Sequence, residues 1–282
     1  MNGLQPLPWS ALAGAAALQL AVGACSAWLS VGLERALAVA VLRMVLQLTL
    51  VGQLLGWLLS LNHPASTALW GLGMCALAAH TAVGRTRLRP TGIGLSTFAA
   101  LAVSSASTVL FATQVLIEVD PERDAQTVIV VLGMLLGNAL TALSLCLERL
   151  LGGLQRERAA VEMALCLGAT GWEAARPAVR DALRAALVPT LNSMAVAGLV
   201  TLPGMMTGQI LAGIPPAQAV RYQILIFLLI AFSTSAACGL VVLWVLRRAF
   251  DPDLRLRELA APEPTPRDPA SRRPPGRRPT RR

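Results

Sequence analysis

Apolar runs of bilayer-spanning length recur seven times along this chain, approximately at residues 12–33, 41–61, 65–83, 91–117, 127–147, 186–202 and 222–245. A helix that crosses a bilayer needs about 20 predominantly apolar residues, whereas a membrane strand needs only about 9–11. In lipid the backbone must satisfy its own polar groups, which leaves helices or closed barrels. Runs this long read as helices. The charge count agrees: 14% of the 282 residues are charged, and 16 of those 39 charges lie in residues 247–282. A soluble domain carries about 25%. The expected fold is an all-α integral membrane protein with seven transmembrane helices. No basic segment precedes the first run, and the run exceeds a signal-peptide core, which argues against a cleaved leader.

Arginine sets the direction. The chain has 24 basic residues and no lysine. Of the arginines, 22 fall in the first, third and fifth connections and in the tail; only Arg123 and Arg221 lie in the alternate ones. Cytoplasmic connections hold the basic excess. The expected topology places the N-terminus outside and the C-terminus in the cytoplasm. The absent lysine excludes a nucleotide-binding P-loop, whose Lys reaches the phosphates. Any ATP hydrolysis must come from another chain. The basic excess reads as topology and base composition, so no nucleic-acid partner is expected. The five Cys show no C-x-x-C or Cys/His pairing; Cys25, Cys75, Cys146 and Cys238 lie in apolar stretches and Cys166 in an Arg-rich one. No disulfide framework is implied, and a buried free Cys reads as a small hydrophobe. An intramembrane protease is disfavoured, since no Asp lies in a run and His80 has no G-x-S-x-G companion.

The fifth connection carries the most local information. Over residues 150–186, charged and apolar positions alternate at helical spacing, and a Gly-Ala-Thr-Gly stretch interrupts them. Thr170 followed by Glu173 matches a capping box, the start of a new helix. The reading is a cytoplasmic helix-turn-helix between the fifth and sixth spans. Residues 205–216 are apolar but broken by Gly213, Pro215 and Pro216. Irregular backbone is expected there, with Pro215 and Pro216 opening the last helix. Residues 1–248 form the transmembrane domain in this reading. The tail, 249–282, is Pro/Arg-rich and expected to be disordered; it either attracts anionic lipid or is a solvated end.

Polar groups inside spans mark candidate functional positions. Arg43 and Gln47 lie one turn apart on the second span. Arg43 either snorkels to headgroups or pairs with an acidic group. Asn138 sits near the middle of the fifth span, with an interhelical hydrogen bond as its plain role. Met205, Met206, Thr207 and Gln209 either line a translocation path or pack at a dimer seam. Gly133 and Gly137 form a G-x-x-x-G pair. No carboxylate lies inside a span, so no metal site and no cofactor bound by this chain are expected. A metal cargo would then be held weakly, carried by a chelator, or gripped between protomers.

The segment Glu162-Met-Ala-Leu-Cys-Leu-Gly168-Ala169 resembles the EAA loop of ABC-transporter permeases, which docks on a cytoplasmic ATPase. It departs from that loop at Ala178-Val179-Arg180-Asp181, where the family usually has I-x-L-P. Longer stretches resemble the FetB-type ABC permease family. They include Val188-Pro189-Thr190, Gly198 through Gly213, Tyr222-Gln223, Arg43-x-x-x-Gln47-Leu48 and Gly133-Met134-Leu-Leu-Gly137-Asn138. The resemblance covers about residues 36–248. It implies a permease homodimer in a bacterial inner membrane, working with two copies of a separate ATPase that binds ATP and Mg. It implies ATPase coupling through Glu162, Gly168, Ala169 and Thr170. Family members are described as iron exporters, and plant relatives are linked to aluminium tolerance and a nucleotide sugar. Export of iron or another metal is the expected function. The alternatives are export of a nucleotide sugar or other solute, or regulation of the ATPase without transport.

Overall fold

The computed structural model describes residues 9–30, 32, 34–61, 63–116, 125–251 and 256. The acidic connection at 118–124 and the tail beyond 256 lie outside the described residues. The described secondary structure is helical: α1 (Trp9–Trp28), α2 (Glu34–Leu61), α3 (Pro64–Gly84), α4 (Ile93–Phe111), α5 (Ala125–Arg156), α6 (Arg158–Cys166), α7 (Gly171–Val196), α8 (Gly204–Leu211) and α9 (Pro216–Ala249), with a π-helical turn at Ala112–Leu116. The chain divides into an N-terminal unit holding α1 and α2 and a larger unit holding α3 to α9.

Among the described residues, five helices are long and apolar enough to cross a membrane: Glu34–Ser60, Pro64–Gly84, Ile93–Val115, Ala125–Arg156 and Pro216–Ala249. The two remaining runs differ for separate reasons. The apolar part of α1, Ser10–Ser26, is short. The sixth run is not a helix of its own. It is the second half of α7, whose first half carries Arg176, Arg180, Asp181 and Arg184. Helix α7 ends at Val196 rather than at 202; residues 197–203 make a turn in which Gly198 has φ 79°.

In the larger unit α5 is the hub, packing on α3, α4, α7 and α9. At 32 residues it is about 48 Å long, well beyond a hydrocarbon core of about 30 Å. Water supplies little drive for helices to associate in lipid, so close van der Waals packing of small residues has to do it. The sequence supplies such faces. Ala78, Ala79 and Ala82 on α3, and Ala175, Ala178, Ala182 and Ala186 on α7, are buried in one core with Leu143, Leu147, Leu150 and Leu154 of α5. The contact is closest at Gly153, where an added Cβ would lie 3.2 Å from the Ala178 Cβ. On the α3 side, a Cβ at Gly71 would come within 2.9 Å of Leu132. Of the G-x-x-x-G pair only Gly133 approaches a neighbour, Met74 of α3.

Four contacts tie helix ends together at one end of this unit. The Arg87 N–H donates to Glu148 of α5. The Arg248 guanidinium donates to the Thr91 carbonyl and lies over the Trp244 ring. Phe250 abuts Gly171, and Arg158 donates to the Leu256 carbonyl. The arginines of the α3–α4 link, the end of α5, the start of α7 and the end of α9 therefore share one end.

Candidate functional site

Helix α5 breaks at Glu157, and α6 leaves it as a separate nine-residue helix. On α6, Arg158 and Glu162 are one turn apart and form an ion pair at 2.7 Å. The pair is partly exposed, so it adds little stability. Its effect is to orient Arg158, whose Nη2 reaches the Leu256 carbonyl at 3.0 Å.

The turn after α6 is built by sequence chemistry. Gly168 has φ 91°, a region that favours glycine. The Ala169 N–H donates to the Ala164 carbonyl and the Gly168 N–H to the Leu165 carbonyl, both at 3.0 Å. This is the double hydrogen bond of a Schellman ending. The next residue, Thr170, caps α7. Its Oγ1 accepts from the Glu173 N–H at 3.3 Å, and the Thr170 N–H donates to Glu173 Oε2 at 2.8 Å. The capping box is present as the sequence predicts. The hydrogen bonds from Thr170, backbone first, hold the Glu173 carboxyl below the usual glutamate range. A glycine C-cap running straight into a capping box leaves no slack. The two helices meet in a rigid corner.

Glu162, Gly168, Ala169 and Thr170 all belong to this corner. The structure adds residues that the sequence reading did not single out. Met163 is 66% exposed, Leu167 83% and Trp172 50%. Large apolar side chains exposed on a segment rich in charge are unusual unless something covers them. The i, i+4 spacing of Met163 on α6 and Leu167 at its C-cap was the available signal. Behind the corner, Phe250 packs on Gly171 so closely that a Cβ there would lie 2.9 Å from its ring. Leu256 is buried in the same core.

The other candidate residues lie on separate elements. Arg43 and Gln47 are exposed on α2 of the N-terminal unit. Asn138 is exposed on α5, and its amide donates to the Met134 carbonyl of its own helix. Residues 204–211 are helical rather than irregular: α8 starts after Pro203 and ends with Gly213 at φ 92°. Pro216 opens α9 as expected. On α8, Met205 packs against the cluster of Val109, Val131, Ile226 and Ile230. Thr207 donates to the Pro203 carbonyl. The Gln209 carbonyl oxygen is buried without a hydrogen-bond partner, and so is that of Gln223 on α9. Among the described residues, no three His, Cys, Asp or Glu side chains converge.

Comparison with known proteins supplies the family. The profile of UPF0014, described as an uncharacterised protein family, matches residues 9–250. A UPF0014 membrane protein of Synechocystis is 36% identical over 252 residues, which is 89% of this chain and 96% of that protein. The "Probable iron export permease protein FetB" of Escherichia coli is 36% identical over 212 residues, 74% of this chain and 80% of that one. The protein ALUMINUM SENSITIVE 3 of Arabidopsis thaliana is 34% identical over 197 residues, 70% of this chain and 71% of that one. No solved structure matches the chain. The profile spans nearly every described helix and the iron-export relative spans most of the chain, so this protein is a member of the UPF0014 family of membrane proteins.

Proposed function

We propose that this chain is the permease subunit of an ABC exporter in a bacterial inner membrane. It works as a homodimer with two copies of a separate ATPase and exports iron or another metal. In this reading it crosses the membrane seven times. Helix α1 and the apolar second half of α7, followed by α8, complete the five long spans. The arginine-rich end of the larger unit faces the cytoplasm.

The observation that carries the reading is the exposed apolar tip formed by Met163, Leu167 and Trp172 on a rigid corner. An amphipathic helix that lays apolar anchors into a groove is a standard mode of recognition. The corner leads directly into α7, whose alanine face from Ala175 to Ala186 packs in one core with α5. Closure of the ATPase pair on nucleotide would thus be passed to the membrane helices without loss in a flexible hinge. Nucleotide shifts the permease between access states through its different affinity for them. The name of the Escherichia coli relative supports metal export as the transported class.

The test combines docking and transport. Leu167→Asp places a charge at the most exposed anchor of the corner. The variant is expected to insert normally and to lose co-purification with the ATPase by about tenfold or more, since a desolvated unpaired charge is costly at an interface. Undiminished co-purification would count against the docking surface. Vesicles carrying the permease and ATPase are then supplied with iron, other metals or UDP-glucose. ATP-dependent accumulation of UDP-glucose and of no metal would replace the cargo assignment.

A further inference from the structure

We propose that the cleft between the α3–α4 link and the end of α5 is a binding site for a phosphate group, filled from the bilayer by an anionic phospholipid headgroup. The inference rests on these helices crossing a bilayer and is independent of cargo or ATPase docking.

The cleft has a volume of about 500 Å³, and its walls join a basic rim to an apolar floor. The rim holds Arg87, Arg149 and Arg156, with Glu148 as the carboxylate among them. Two of these groups are fixed in place. Glu148 accepts the Arg87 backbone N–H at 3.3 Å, and Arg156 Nε donates to the Gly152 carbonyl at 3.2 Å. Three guanidiniums against one carboxylate leave the cleft positive. Guanidinium forks match phosphate oxygens in planar, paired geometry. The apolar lining comes from half-buried Leu88 and Leu145, with Leu147 and Leu151 of the core behind them.

Depth supports the lipid as the source. The apolar run of α5 ends at Leu147, and charge begins at Glu148 and Arg149. The cleft straddles that boundary, which is where headgroup phosphate meets the acyl region. A free phosphate would use the rim and leave half-buried Leu88 and Leu145 uncovered. A phospholipid covers both. Basic pockets between membrane helices at the cytoplasmic face recognise anionic headgroups by this combination.

The experiment measures lipid association rather than transport, so its failure is distinct from failure of the proposed function. Full-length protein is reconstituted in phosphatidylcholine with trace spin-labelled phosphatidylglycerol or spin-labelled phosphatidylcholine. The wild type is expected to hold phosphatidylglycerol preferentially. Arg87→Gln with Arg149→Gln is expected to lower that preference about thirtyfold, from about 1 kcal/mol per arginine near the surface. Arg87→Lys with Arg149→Lys is expected to keep most of it. Arg180→Gln, exposed on α7 and outside the cleft, is expected to change nothing. Equal association of the two lipids, or an unchanged preference in the glutamine variant, overturns the site. Abolition of the preference by millimolar inorganic phosphate overturns the lipid source. Loss of ATPase co-purification in the glutamine variant with lipid preference intact assigns the cleft to an acidic protein surface and overturns the proposal.

Discussion

Gly168 and Thr170 show how much of the corner is fixed by single residues. A side chain at Gly168 would have to adopt φ 91°, at a cost of about 1–2 kcal/mol. Gly168→Ala is therefore expected to loosen the turn, seen as about tenfold faster amide exchange at Gly168 and Ala169. Thr170→Ala removes the side-chain half of the cap and costs about 1 kcal/mol. The pH dependence has a definite sign. Glu173 is held below its ordinary value by Thr170. Its contribution is fully present above the unfolded glutamate pKa, about 4.3. It is lost as pH falls through the lower folded value. Exchange at Thr170 and Glu173, corrected for the chemical rate, should be flat at neutral pH and rise only in acid. A rise near pH 6 would contradict the cap. These residues were legible in the sequence because capping chemistry is local. Met163, Leu167 and Trp172 were not singled out, because exposure depends on what the fold leaves uncovered.

Elements were less legible than residues, and α7 shows why. The sequence separates a cytoplasmic helix from a sixth span near residue 186, since charge gives way to apolar residues there. The backbone does not break at that point. Hydropathy reports a change of surroundings, and a helix can run through such a change when one face stays packed. The Ala175, Ala178, Ala182 and Ala186 stripe supplies that face along α5. It also carries α7 through Pro177 and Pro189, each of which removes a helix hydrogen bond. The segment after α9 was hidden for the opposite reason. Its composition reads as tail, yet Phe250 and Leu256 pair through their backbones, and Leu256 is 2% exposed. Leu256 is buried beside the corner that Arg158 links it to. Leu256→Ala is expected to cost about 2–3 kcal/mol locally. Truncation after Ala249 should lower ATPase stimulation severalfold, while truncation after residue 257 should not. Equal stimulation by both truncations would show that Phe250 and Leu256 do not brace the corner.

At the scale of the whole molecule, the class was legible at once, and arginine placement gives the direction the proposed topology expects. The structure adds a constraint within the larger unit: the arginine-bearing α3–α4 link, the basic ends of α5 and α9 and the start of α7 meet at one end. A single sidedness measurement therefore fixes that whole unit. Cys166 provides the probe, being exposed at the end of α6, whereas Cys75, Cys146 and Cys238 are buried. Cys25 is also exposed, so the measurement uses a Cys25→Ser background. An impermeant maleimide is expected to label Cys166 in inverted vesicles and not in intact cells. Labelling from the outside would reverse the topology and remove the corner from any cytoplasmic partner. With the ATPase bound, the labelling rate in inverted vesicles should fall at least severalfold, because Cys166 lies between the anchors Met163 and Leu167. Accessible but unprotected Cys166 would keep the topology and move the docking surface elsewhere, so one thiol separates the two parts of the functional reading.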